Sequence, residues 1–167
     1  MKNLLILLTV LSLAACGFRL RGTAELPFST LYVPGATGGI ALDLARNIRA
    51  GTNVKVVPEA KGADAILQLT TEAREKEILS LTGTGRVREF RLRYRVGFRV
   101  HDGKGNDYVS QNTLELTRDV SFNDAEVLAK EAEEQLLYRD MQTDMVQQIM
   151  RRLAAAQKPA QTQPPKG

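Results

Sequence analysis

One stretch limits the possible folds more than any other. Phe90, Leu92, Tyr94, Val96, Phe98 and Val100 are each separated from the next by an arginine or by Gly97. A strict period of two over this length makes a β-strand with one face buried and the other wetted. Such a strand needs a second layer over its apolar face, so amphipathic helices elsewhere must supply it.

The segments on either side extend the strand into a sheet. Ala65, Leu67, Leu69, Thr71 and Ala73 alternate with Ile66, Gln68, Thr70, Glu72 and Arg74, and Gly83-Thr84-Gly85 makes a turn. The loop Asp102-Gly103-Lys104-Gly105-Asn106-Asp107 leads into a strand from Tyr108 to Phe122, with Leu114, Leu116, Val120 and Phe122 in phase. Short connections make this three-strand meander antiparallel.

Ahead of it, Leu31-Tyr32-Val33 is a short strand ended by Pro34-Gly35. Ile40, Leu44 and Ile48 then mark an amphipathic helix with Gly51 as its C-terminal cap. Val54 to Val57 is a second short strand, stopped by Pro58. After the meander, Asn123-Asp124-Ala125-Glu126 has the form of a capping box. The helix it opens runs to about Ala156, with the stripe Leu128, Ala132, Leu136, Leu137, Met141, Met145, Ile149 and Leu153.

The expected fold is α+β: a two-layer sandwich of two helices packed on a mixed, mainly antiparallel sheet of about four long strands. Strand order stays open. Residues 31–156 make a single domain, and the Pro/Gln/Lys-rich tail 157–167 is expected to be disordered.

The N-terminus is of another kind. Lys2 precedes an apolar run from Leu4 to Leu13, and Leu13-Ala14-Ala15-Cys16 follows. The run is too short to cross a bilayer and has the layout of a secretory signal peptide. With Cys16 at the cleavage point it resembles a lipobox, so residues 1–15 are expected to be removed and Cys16 lipidated. Cys16 is the only cysteine, which rules out an internal disulfide. One acyl chain holds a protein only marginally, whereas two or more hold it firmly. The three chains of a bacterial lipoprotein would keep this one on its membrane. Gly17, in place of Asp, favours the outer membrane, facing the periplasm. Residues 16–30 are read as a lipidated linker. No other stretch is long and apolar enough to span.

Catalytic and metal chemistry find little to build on. His101 is the sole histidine, so zinc sites and nucleophile triads lack partners. Gly35-Ala36-Thr37-Gly38-Gly39 fits neither phosphate-loop pattern. The Asp102–Asp107 loop lacks the terminal acid of a calcium loop. Glu131, Glu133 and Glu134 read as a solvated helix face. No enzyme, cofactor or metal is expected.

One constellation remains. Arg91, Arg93, Arg95 and Arg99 share the wetted face of the central strand, two residues and so roughly 6.5–7 Å apart, with Gly97 interrupting the row. Stacked guanidiniums repel, so something must compensate. Glu72, Glu115 and Asp119 on the neighbouring strands can do so if register brings them opposite. An anionic partner is the other answer, since the guanidinium fork suits phosphate. The compartment excludes nucleic acid and leaves phosphate-bearing glycolipid.

Cys16-Gly17-Phe18-Arg19-Leu20-Arg21-Gly22, followed by Leu26-Pro27-Phe28 and Leu31-Tyr32-Val33, resembles the mature start of the LPS-assembly lipoprotein LptE family. The terminal helix ending Ile149-Met150-Arg151-Arg152-Leu153 extends the likeness over nearly the whole mature chain. The resemblance implies a non-catalytic protein that sits as a plug in the LptD outer-membrane β-barrel at about one to one. It also implies help in barrel assembly, in lipopolysaccharide insertion into the outer leaflet, and in lipopolysaccharide binding through basic residues. Arg91, Arg93, Arg95 and Arg99 are assigned that role, or contact with the barrel lumen, by chemistry and strand position rather than by motif. The alternative is a stand-alone periplasmic lipid carrier, which would need a deep apolar cavity.

Overall fold

The structure, a computed structural model, describes residues 24–157. The signal peptide, Cys16, Gly17 and nearly all of the tail lie outside the described residues. The elements run β1 (Thr30–Tyr32), α1 (Gly39–Gly51), β2 (Lys55–Val57), β3 (Ala65–Leu81), β4 (Val87–His101), β5 (Asp107–Ser121), a short 3-10 turn (Asp124–Glu126) and α2 (Val127–Ala154). The five strands form one sheet in the order β2-β1-β3-β4-β5. β1 pairs in parallel with both β2 and β3, while β3, β4 and β5 form the antiparallel meander. The α+β class holds, with three long strands and two of three residues.

β4 keeps its alternation throughout. Leu92, Tyr94, Val96, Phe98 and Val100 are fully buried beneath the helices. α1 covers one end of that face with Ile40, Ala41, Leu44, Ala45 and Ile48, buried at helical spacing. Its end is made by Thr52 rather than by Gly51, which is the last helical residue. The Thr52 hydroxyl donates to the Ile48 carbonyl at 2.7 Å and accepts from the Val54 N–H at 3.1 Å. Phe28, in the segment expected to be linker, is buried in the core and packs edge-on against Tyr108 at 5.1 Å between ring centres.

α2 departs from its expected stripe. Tyr138, Met141, Met145, Val146, Ile149 and Leu153 are buried, but Leu128 is 82% and Leu136 53% exposed. The reason lies in β3. Leu69 faces Phe98, but Thr71 faces Gly97, so a bulge around Thr70 shifts the alternation by one residue. Beyond it Glu72, Arg74 and Lys76 turn toward the helices, and the first half of α2 meets polar residues instead of a core. Arg74 donates to Gln142 Oε1 at 2.7 Å, and the Lys76 ammonium lies 2.6 Å from Glu134 Oε2 and over the Phe90 ring at 4.3 Å. Tyr138 donates its hydroxyl hydrogen to the Glu75 carbonyl at 2.7 Å.

Gly97 is what the bulge requires on β4. A Cβ there would lie 2.6 Å from Thr70 Oγ1 and 3.3 Å from Thr71 Cβ.

Candidate functional site

The face of the sheet away from the helices carries the charged row. Register places Arg95 opposite Glu115 and Arg91 opposite Asp119, as expected for those two acids. The third expected partner, Glu72, is not on this face. It pairs with Val96 and accepts the Tyr94 phenol at 2.8 Å on the helix side, because the bulge has reversed the alternation. Burial first, and then that hydrogen bond, push the Tyr94 phenol's pKa up. The acids that do meet the row from β3 are Glu75 and Glu77, opposite Arg93 and Arg91. They were missed because simple alternation assigns odd positions of β3 to the apolar face. The adjacent Thr70-Thr71 pair and the lone glycine on the neighbouring strand were the available signal.

The contacts form a ladder. Arg91 holds Asp119 through two bonds of 2.8 and 3.0 Å. That bond first, and then its charge, hold the Asp119 carboxyl below the usual carboxylate range. Arg93 grips Glu77 at 2.8 and 3.2 Å and reaches Glu75 at 3.4 Å. Its Nε lies 3.3 Å from Glu115, a contact of charges with no hydrogen bond made. Arg95 bridges Glu115 at 3.1 Å and Glu75 at 3.4 Å. Arg99 differs: its Nε donates to the neutral amide oxygen of Gln68 at 2.8 Å. The arginine row thus meets Glu75, Glu77, Glu115 and Asp119 on one face of the sheet, with the pairing densest at Arg93, while Glu89 on the same face accepts from the Ser80 hydroxyl.

The other sequence candidates resolve as turns. Asp102 accepts from the Lys104 and Asn106 N–H groups and from the Asn106 side chain, closing the β4–β5 hairpin. Those bonds, the Asn106 side chain first, lower its pKa to about 2. His101 Nδ1 accepts from the Gly103 N–H at 3.0 Å in the same turn. Among the described residues no three His, Cys, Asp or Glu gather as a metal set, and no helix is long and apolar enough to cross a membrane.

Residues 28–153 match the family model described as "LptE: Lipopolysaccharide-assembly". The chain belongs to the LptE family. An LPS-assembly lipoprotein LptE of Yersinia pestis is 31% identical over 155 residues, covering 90% of this chain and 74% of the relative. The Photorhabdus laumondii LPS-assembly lipoprotein LptE is 28% identical, covering 90% and 84%. An uncharacterized lipoprotein B from Nitrosomonas europaea, solved by NMR, superposes with a TM-score of 0.71 at 48% identity, covering 83% of this chain and 91% of that one. In this LptE chain the two helices cover one sheet face and the ion-pair ladder occupies the other.

Proposed function

We propose that this LptE chain is an outer-membrane lipoprotein, held by lipid on Cys16 at the periplasmic side, that plugs an LptD-like β-barrel about one to one. In that role it supports barrel assembly and lipopolysaccharide insertion into the outer leaflet, and it binds lipopolysaccharide. Cys16 and its neighbours lie outside the described residues, so the anchor rests on the sequence. The observation that carries the reading is a family match over the whole domain, joined to a broad charged face left uncovered by helices.

Arg91, Arg93, Arg95 and Arg99 are the proposed contact residues on that face. Arg91, Arg93 and Arg95 already hold carboxylates, so a phosphate would have to displace them. That favours the barrel lumen as their partner, through polar contacts at the ladder's rim. Arg99, bonded to a neutral amide, is the row's best candidate for lipopolysaccharide phosphate. The lipid-carrier alternative fits less well, because the apolar face of the sheet is filled by Met141, Met145, Ile149, Leu44 and Ile48.

The test is affinity purification of the lipidated protein from detergent extracts. A large barrel protein recovered in about equal amount supports the reading. Recovery of this chain without one rejects it. Mass spectrometry of the N-terminal peptide checks the acyl chains on Cys16 separately.

A further inference from the structure

β3 is an edge strand over most of its length. β1 pairs with it only at Ala65 and Ile66, and among the described residues no strand pairs with its outer side beyond them. An open edge shows a row of backbone N–H and C=O groups, which proteins usually guard with projecting charges. Here the charges turn inward. Arg74 lies over the Tyr94 ring of β4 at 5.2 Å and donates to Gln142 of α2. Glu75 and Glu77 reach Arg93 on β4. Lys76 folds over the Phe90 ring at 4.3 Å and is tied to Glu134 at 2.6 Å. Tyr138 takes one backbone group of this stretch, the Glu75 carbonyl. Between the bulge at Thr70 and the next shift after Ile78, the pairing with β4 is regular. The edge from Glu72 to Ile78 is therefore long enough for a strand of the usual length, about 5–6 residues.

Apolar surface gathers at the same edge. The large apolar side chains that stand exposed among the described residues are Ile78, Leu79, Leu81, Val127, Leu128 and Leu136, on the far end of β3 and the first half of α2. None is on β5, the sheet's other long edge. The first half of α2 is turned about: half-buried Lys130 and Glu134 face the sheet, tied to Ser121 and Lys76. Leu128 and Ala132, four residues apart on one flank, line a recess of about 510 Å³ with Lys76, Glu131 and Gln135. The charged face adds a third observation. Read across the strands it runs acid, base, acid: Glu75 and Glu77 on β3, Arg91, Arg93 and Arg95 on β4, Glu115 and Asp119 on β5. A strand added beside β3 would continue the alternation with basic residues, and a carboxylate has lone pairs for more than one of them.

We propose that the free edge of β3 from Glu72 to Ile78 takes an extended strand of a partner protein by backbone pairing. That strand carries arginine or lysine opposite Glu75 and Glu77 and apolar side chains at the alternate positions. Side chains two apart on a strand share a face. The basic residues thus lie on the charged face, and the apolar ones lie on the helix side, beside Ile78 and in the recess at Leu128 and Ala132. The surface is defined by an open edge and does not rest on the barrel reading above.

The test uses residues 16–167 with Cys16→Ser, labelled with nitrogen-15, and needs neither lipid nor barrel. The probe is a blocked peptide of about nine residues alternating Arg and Leu, the length of a long strand. Saturable shifts and slowed amide exchange should be confined to Glu72–Ile78 and the facing first half of α2. The same peptide with alternate backbone amides methylated keeps its side chains and charge but loses donors, and should bind at least about tenfold more weakly. Leu128→Asp, at a position 82% exposed and so harmless to the fold, should weaken binding about fivefold. Glu75→Lys with Glu77→Lys should weaken it about tenfold, with circular dichroism unchanged. Absence of binding overturns the proposal, as does equal binding of the methylated peptide. Shifts spread over Glu115 and Asp119 would mean charge attraction alone and also overturn it. So would micelles of an uncharged detergent that move Ile78, Leu79 and Leu128 where the peptide does not, since the patch would then be a lipid surface.

Discussion

Gly97→Ala should cost this protein more than any other single methyl on the charged face. The new Cβ would stand 2.6 Å from Thr70 Oγ1, 3.3 Å from Thr71 Cβ and 3.4 Å from the Thr71 nitrogen, where ordinary contact is 3.4–4 Å. Something must move by most of an ångström. Rotating Thr70 about χ1 gives little relief, because a β-branched side chain swaps its hydroxyl for a methyl. It also breaks the bond that Thr70 accepts from Gln111 Nε2 at 2.6 Å. Sliding β3 away is opposed by the Thr71 backbone. Overpacking of this kind costs about 1–3 kcal/mol, and the absence of an easy exit places Gly97→Ala in the upper half of that range. At about 2–4 °C per kcal/mol for a domain of this size, the melting temperature should fall by roughly 4–12 °C. Urea unfolding of Gly97→Ala, and of the same variant with Thr70→Ala, is the assay. The second substitution should recover more than half the loss, since it removes the nearest clashing atom. A Gly97→Ala protein within about 0.5 kcal/mol of the parent, the range of ordinary surface changes, would refute the bulge as the reason for glycine here.

The ladder predicts an order among its arginines. Arg93→Ala, which strips one cation from Glu75, Glu77 and Glu115, should destabilise by about 1–2 kcal/mol, whereas Arg99→Ala should change urea stability by less than about 0.5 kcal/mol; equal losses would mean the pairing at Arg93 carries no weight. Along α2, Met141→Ala should cost about 2–5 kcal/mol and Leu128→Ser almost nothing, because Met141 is fully buried and Leu128 is 82% exposed. Acid should weaken the fold through lowered carboxyls. Asp102 and Asp119 have native pKa values below their unfolded ones, so their stabilisation is present above about pH 4 and is lost as pH falls through the native values. Urea midpoints of Asp102→Asn and Asp119→Asn should therefore converge on the parent's between about pH 6 and about pH 2, and a gap that stays constant with pH would contradict the assignment. Tyr94→Phe should cost about 1 kcal/mol by removing one bond to Glu72, read by the same unfolding assay.

How far the residues spoke for themselves depended on the range of the forces involved. β4 was legible because its period never breaks, and Glu115 and Asp119 were legible as acids on the neighbouring strand; which arginine each meets was not, because two register shifts between Phe98 and His101 separate the ladder from the hairpin. β3 was legible only as far as Leu69. A bulge is a relation between two strands, and Thr70-Thr71 reads as two ordinary β-formers until Gly97 is seen across from it. That single slip moved Glu72 to the helix side and brought Glu75 and Glu77 to the arginines. It also explains α2, where Glu134 and Gln142 meet Lys76 and Arg74 of β3 while Leu128 and Leu136, at helical spacing, stay exposed. The parallel placement of β1 between β2 and β3 was not legible, since short strands carry too few residues to mark a neighbour.

The ladder also bears on how anything finds this face. Arg91, Arg93, Arg95 and Arg99 stand beside Glu75, Glu77, Glu115 and Asp119, so those eight groups sum to no net charge. Glu89 shares that face of β4, so the surface is dense in charge but carries little net charge, and its field fades within the ~8 Å Debye length of physiological salt. A partner would not be drawn to it from a distance, and its capture rate should depend weakly on ionic strength. Recognition would begin only at contact, as a match of hydrogen-bond positions. That suits a partner delivered by folding around this domain better than one captured from solution.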